Sequence, residues 1–192
     1  MESKTIVLFD LDGTLYADSD IPDKVHSNFS NSPEEFYDFL KKKNKLNKIL
    51  KQLSNVGNNY IFTNGNAGHG ISCLNKMGMS LDKKSVLRLK KKSYISLDTK
   101  VNVKDPLFQD LISRDDLNTS VKPQYFPYFF VQQYLQIIEN YDKVYFFENA
   151  AENLVTAKEF GWVTIFIRDG NKLDKIYEKY VDYQFENIEE AL

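Results

Sequence analysis

Cysteine is almost missing from this sequence: Cys73 is the only one among 192 residues. No disulfide can therefore form within the chain, and a reducing, cytoplasmic setting is the expected one. Long apolar runs are missing too. No stretch approaches the roughly 18 residues that cross a bilayer, and the N-terminus lacks the charged-then-apolar layout of a signal peptide, so no membrane partner is expected. Neither charge is in excess: 25 Lys and Arg stand against 27 Asp and Glu, a net of −2. Duplex DNA binding calls for a basic surplus, so no nucleic-acid partner is expected. Histidine is limited to His26 and His69, and arginine to Arg88, Arg114 and Arg168. No internal repeat or low-complexity linker marks an independent second domain.

What is present suffices for one sizeable core, with 42% hydrophobic and 14% aromatic residues. The length fits one domain with a modest insertion. Hydrophobic patterning places strands near residues 5–9, 59–63, 143–148, 162–167 and 181–185, with a further short one within 107–113. Helical patterns separate them. This alternation predicts an α/β fold, a doubly wound and mostly parallel sheet covered on both faces. Ser32 reads as an N-cap, Pro33 as the first helical residue, and Glu34 and Glu35 as its acidic first turn. Residues 16–45 are expected to form a small helical insertion over the carboxyl edge of the sheet, with 1–15 and 46–192 as the core and 46–56 as the crossover helix to the second strand.

The chemistry concentrates in Asp10-Leu11-Asp12-Gly13-Thr14-Leu15, directly after the apolar run Thr5–Phe9. Carboxylates at i and i+2 on a strand end point into the crevice where open α/β sheets bind ligands. One can attack phosphorus while the other trades a proton with the leaving or entering oxygen. Gly13 permits the sharp turn that keeps both at the rim. The same residues also read, more plainly, as an Asp-Gly turn ending a strand. Thr63-Asn64-Gly65 ends the second apolar strand with a hydroxyl, an amide and free backbone N–H groups, which suit a phosphoryl oxygen near a helix N-terminus. Lys122-Pro123 offers a point charge on a stiff dipeptide. Val144–Asn149 is a strand that ends in Glu148 and Asn149.

The order of these four elements resembles the haloacid dehalogenase (HAD) superfamily of phosphohydrolases over nearly the whole chain. The resemblance implies a HAD-like Rossmannoid core in which Asp10 is the nucleophile, Asp12 the general acid/base, Thr63 a phosphate ligand and Lys122 the neutralising cation. It further implies Mg²⁺ held by Asp10, the Asp12 backbone carbonyl and an acid of the fourth element. Leu15-Tyr16, Phe62-Thr63-Asn64 and Lys122-Pro123 are most similar to the pyrimidine 5′-nucleotidase-like members. The pattern departs at the fourth element. The expected metal acid falls at Asn149 and the later acid at Asn153, while Glu148 and Glu152 stand one residue earlier. Losing one charge at ~4 Å from a +2 ion forfeits about 8 kcal/mol of raw attraction at an effective ε of ~20, much of it returned by desolvation. Weakened Mg²⁺ affinity is the expectation, with Glu148 or Asn149 as the remaining ligand.

The expected function is a Mg²⁺-dependent phosphomonoesterase acting through an aspartyl-phosphate on a small phosphate ester, a nucleoside monophosphate first and a sugar phosphate second. The alternative is a catalytically weakened domain that binds a phosphorylated ligand or a protein partner. A third class is a receiver-type phosphoacceptor, which Asp12 argues against because it would hasten loss of the phosphoryl group. Tyr16, Phe29, Phe36 and Tyr37 are the aromatic candidates for holding a base or sugar. The aromatic run Tyr125–Phe130 reads as core. Cys73 reads as a buried structural thiol, His69 as a surface or capping histidine, and the lysines of segment 83–92 as a solvated face.

Overall fold

A computed structural model describes residues 4–55 and 57–192. Residues 1–3, counted above with the core, and Val56, at the expected end of the crossover helix, lie outside the described residues. The strands are β1 (Thr5–Phe9), β2 (Asn58–Phe62), β3 (Asp110–Ile112), β4 (Lys143–Glu148), β5 (Val163–Ile167) and β6 (Tyr183–Phe185). They form one six-stranded sheet in the order β3-β2-β1-β4-β5-β6, and every neighbouring pair is parallel. This is the doubly wound α/β fold that the alternation predicts.

The helices are α1 (Asp23–Ser27), α2 (Pro33–Phe39), α3 (Asn44–Leu53), α4 (Ala67–Met77), α5 (Lys83–Lys91), α6 (Tyr125–Tyr134), α7 (Ile137–Asn140), α8 (Ala151–Glu159) and α9 (Ile188–Ala191). Successive residues of β1 point to opposite faces. Val7 and Phe9 pack with Leu46 and Leu50 of α3 and Ile71 and Leu74 of α4, whereas Ile6 and Leu8 pack with Tyr128 and Val131 of α6 and Leu154 of α8. Each such buried apolar side chain contributes about 1.5–3 kcal/mol relative to exposure. A central parallel strand must therefore be apolar on both faces, which is why β1 reads as a continuous run. Among the described residues no helix is long and apolar enough to cross a membrane.

Two local expectations are corrected. Ser32 occupies the N-cap of α2 but makes no side-chain cap bond, and the helix start rests on Pro33 at its first turn. In α6 the aromatic run is only half core. Pro127, Tyr128 and Val131 are buried, while Tyr125, Phe126 and Phe129 on the other face are exposed, because a helix packed on one side of a sheet can bury only one stripe. The lysines of α5 are mostly solvated, as expected, but Arg88 turns inward to Asp110. Residues 16–45 carry a 3₁₀ turn (Asp18–Asp20), α1 and α2. The rings of Phe29, Phe36 and Tyr37 pack edge-on against one another, and all three reach His69 of α4.

Candidate active site

β1 lies between β2 and β4, with Phe9 level with Ile61 on one side and Phe147 on the other. One residue further along, Asp10 is flanked by the ends of both neighbours, and its N–H donates to the Phe147 carbonyl at 2.9 Å. The sheet reverses direction of winding here, the switch point where such folds open a crevice. Lys122 enters from the segment before α6. Its Nζ donates to Asp10 Oδ1 (2.8 Å), Glu148 Oε2 (2.7 Å) and the Phe62 carbonyl (2.9 Å). The side chain is 0% exposed and the ammonium lies 4.9 and 5.0 Å from the Phe62 and Phe146 ring centres. A cation so desolvated is held only because three acceptors and two ring faces replace its water.

Burial first, then the facing Glu148 carboxylate and Asp12, push Asp10 up to about 8, with Lys122 offsetting part of the rise. Burial alone would lower the Lys122 ammonium, but Asp10 and Glu148 outweigh it and hold it above the ordinary lysine range. The physical cause is one count: a single cation serves two buried carboxylates, with a third close by.

Asp12 is held differently. Its Oδ1 meets His69 Nε2 at 2.6 Å and accepts from the Tyr16 hydroxyl, while Tyr37 Oη lies 3.2 Å from His69 Nδ1. Burial would raise this carboxyl, but the His69 hydrogen bond and charge and the Tyr16 hydrogen bond bring it below the ordinary value. Its side chain remains about a third exposed (35%). His69 is thus a neighbour of the acid/base candidate and not the surface or capping histidine expected. The cap of α4 is Asn66, whose Oδ1 accepts from the His69 N–H at 2.8 Å. Gly65 makes the approach possible, since a Cβ there would meet the His69 ring at 3.0 Å. Sequence reasoning missed His69 because its partner lies 57 positions away; the Gly-His-Gly spacing near a helix start was the only signal.

The second and third elements are clamped together. Asn64 accepts from the Lys122 N–H (2.8 Å) and donates to the Lys122 carbonyl (3.1 Å). Both ends of this amide meet the Lys122 backbone, so Asn64 positions Lys122, and the second N–H of its amide is left for the phosphate contact expected of it. Thr156 of α8 donates to the Pro123 carbonyl from the other side (2.7 Å). Thr63 is fully buried; its Oγ1 accepts from the Gly65 N–H at 3.0 Å, which leaves its own O–H as a donor.

At the fourth element, adjacent residues point to opposite places, as strand geometry requires. Glu148 faces inward, accepting from Lys122, from Asn153 Nδ2 (2.9 Å) and from the Ala150 N–H (3.0 Å). It is the ion-pair partner of Lys122, not the spare metal oxygen considered for it. Asn149 lies against the first loop, so close that a Cβ on Gly13 would fall 2.1 Å from its amide nitrogen. Thr14 Oγ1 lies 3.3 Å from Asp10 Oδ2 and 3.4 Å from Asn149 Oδ1. Both oxygens thus lie within 3.4 Å of one hydroxyl, beside the buried carboxylates of Asp10 and Glu148. An all-oxygen set of this kind suits a hard divalent cation, which needs only a few protein ligands.

Of the four aromatic residues considered for a base or sugar, Phe29 is half-buried and the other three are packed against protein groups. Tyr16, Phe36 and Tyr37 are buried, Tyr16 on Asp12 and Phe36 and Tyr37 on His69. They form the packed underside of segment 16–45.

No protein-family model and no curated protein matches the sequence. Solved structures do match in three dimensions. An L-2-haloacid dehalogenase from Xanthobacter autotrophicus with chloropropionic acid covalently bound shares 12% identity at a TM-score of 0.59, over 97% of this chain and 96% of that one. The candidate HAD-hydrolase YfnB from Bacillus subtilis bound to magnesium shares 14% at 0.60, over 100% and 97%. A candidate phosphatase from Clostridium difficile shares 18% at 0.52, over 100% and 98%. At these identities the likeness is one of fold: the chain has the architecture of HAD-like hydrolases over its whole length.

Proposed function

We propose that this chain is a HAD-type phosphomonoesterase that acts on a small phosphate ester, with a nucleoside monophosphate as the first substrate class. The observation that carries the reading is the buried Asp10–Lys122–Glu148 cluster with Asp12 beside it. Asp12 also favours one of the two chemistries found among the structural neighbours. A halide leaves without a proton, whereas the alkoxide of a phosphate ester needs one, so an acid/base next to the nucleophile favours the ester.

In the proposed reaction an Asp10 oxygen forms a bond to phosphorus as the ester P–O bond breaks, and Asp12, which takes up a proton from solvent as the phosphate's negative charge arrives beside it, delivers that proton to the departing oxygen. Water then attacks the aspartyl-phosphate, Asp12 takes its proton, and phosphate leaves with Asp10 regenerated. Lys122 neutralises the nucleophile and the equatorial oxygens, and the Thr63 hydroxyl donates to one of them. Tyr16 and His69 hold Oδ1 of Asp12, which leaves Oδ2 for the travelling proton. Asp10, the Asp12 carbonyl and Asn149 are the residues that would hold Mg²⁺, which when bound supplies positive charge that keeps the Asp10 carboxylate ionised. The magnesium-bound neighbour supports that choice of metal.

The purified chain with an aryl phosphate and Mg²⁺ is expected to release phosphate. Asp10→Asn abolishes this, and equal rates for the two proteins would refute the reading. A second reading, a weakened domain that retains ligand binding, is favoured by one observation: a neutral amide stands where the metal acid is expected. Calorimetry separates the two, since absence of Mg²⁺ binding into the millimolar range supports the weakened domain.

A further inference from the structure

Asp12, His69 and Cys73 present one oxygen, one nitrogen and one sulfur donor, all within 4.8 Å of one another. His69 and Cys73 are four residues apart on α4 and so share a face; their Nε2 and Sγ atoms are 3.6 Å apart. We propose that these three side chains form a site for a borderline-soft divalent cation, Zn²⁺, and that its occupancy removes Asp12 from acid/base duty. The inhibitory half rests on the function proposed above; the binding half does not.

With Zn–N and Zn–O near 2.0–2.1 Å and Zn–S near 2.3 Å, a tetrahedral site needs ligand edges of ~3.3 Å for O to N and ~3.6 Å for N to S. The N–S edge already has this length. The O–N edge, now a hydrogen bond of 2.6 Å, must open by ~0.7 Å. Asp12 is the ligand free to retreat, because its side chain is 35% exposed while Cys73 is fully buried. That exposed side is also the route of entry. The donor set selects the ion: Mg²⁺ prefers oxygen and a water-rich octahedron, whereas thiolate with imidazole suits Zn²⁺. The Mg²⁺ expected at Asp10 and Asn149 therefore does not compete for it.

Proton bookkeeping is consistent. The Cys73 thiol gives its proton to solvent on binding, and Nε2 of His69 gives up the hydrogen it shares with Asp12. Nδ1 then carries the imidazole hydrogen and donates it to Tyr37 Oη, 3.2 Å away, an outer contact of the sort that fixes a ligating imidazole. With Oδ1 on the metal and the Tyr16 hydroxyl already on that oxygen, the carboxylate's charge is spent on the cation, so Oδ2, though free, is a poor base and carries no proton to the departing oxygen.

The test uses the full chain stripped with a chelator, titrated with Zn²⁺ against a chromophoric chelator, and in parallel with Co²⁺. One ion per chain, a thiolate-to-cobalt charge-transfer band and protection of Cys73 from alkylation are expected. Cys73→Ser and His69→Asn should each weaken binding by about tenfold or more, and His69→Asn carries the comparison if Cys73→Ser does not fold. Asp10→Asn should bind Zn²⁺ like the wild type, so the site can stand even if the phosphatase reading falls. Where phosphatase activity is present, Zn²⁺ should suppress it, a Zn²⁺-selective chelator in excess Mg²⁺ restore it, and Cys73→Ser resist. Wild-type and both variant proteins binding Zn²⁺ equally, or none binding it, overturns the site; equal inhibition of wild type and Cys73→Ser overturns the inhibitory role.

Discussion

Replacing Lys122 by Met keeps the stem and removes the charge, so it isolates what the ammonium does. Two buried carboxylates then lose their shared partner, and breaking a buried pair in this way costs about 3–5 kcal/mol. Lys122→Met is expected to lower the urea midpoint accordingly while Asp10→Asn does not, and a midpoint within error of wild type would show the cluster to be hydrated. Asp10 itself sets a pH dependence. Its folded carboxyl titrates at about 8 against a reference of 3.8, so between those values the native state holds a proton that the unfolded chain lacks. Stability must therefore fall as pH rises from about 4 to about 8. Asp10→Asn removes that slope. Measured in chelator, its stability relative to wild type should grow from about pH 5 to about pH 8.5, and a constant difference would mean that Asp10 titrates normally. At this scale the sequence was informative about residue types and poor about partners. Asp10, Asp12, Thr63 and Lys122 could be selected from motif order, but nothing local shows that both ends of the Asn64 amide meet the backbone of Lys122.

The end of β4 decides how strongly the fourth element serves the site. Alternation along the strand sends Glu148 to Lys122 and Asn149 to the Gly13–Thr14 loop, so a change at 149 acts on the cation region without touching the ion pair. Asn149→Asp is isosteric and is expected to tighten Mg²⁺ by about tenfold, ~1.4 kcal/mol, as read by calorimetry. In chelator the same variant should be less stable than wild type, because it adds a carboxylate beside Asp10. Unchanged Mg²⁺ affinity would place the metal away from residue 149. Segment 16–45 behaves as an element of its own kind. Its short helices were legible from Pro33 and the acidic first turn, yet its aromatic side chains were assigned to a ligand when Tyr16, Phe36 and Tyr37 pack into the same core as β1, α3 and α4. Burial of a ring by its neighbours is a tertiary fact that spacing cannot carry.

Across the whole molecule, the central strands and the aromatic segment should differ in local stability. β1 and β4 are flanked by strands on both sides and buried under helices on both faces, so their amides are expected to exchange only through global opening. Those of α1 and α2 lie in short helices that no strand flanks and should exchange earlier, through partial opening. Hydrogen exchange with mass readout checks this, and equal protection of the two regions would mean that 16–45 folds as one unit with the core. Asp10 is 6% exposed, Lys122 3% and Thr63 0%, so a substrate that reaches the cluster must find or open a way in, and the exchange of 16–45 in the presence of phosphate reports whether that segment opens it.

The alternation of apolar strands with amphipathic helices was enough, by itself, to determine a parallel, doubly wound sheet, because main-chain pairing and two-faced burial leave few other ways to satisfy such runs. The sequence also placed each chemical group at a strand end or just before the following helix, since turns must follow strands there. Only the tertiary structure decided which groups meet. Strand order put β1 between β2 and β4, and with it Asp10 beside Lys122 and Glu148; helix α4 carried His69 and Cys73 to Asp12. Contacts across 57 or 112 positions depend on how the sheet is wound and on which face each helix covers. Those are properties of the packed whole, and no local pattern encodes them.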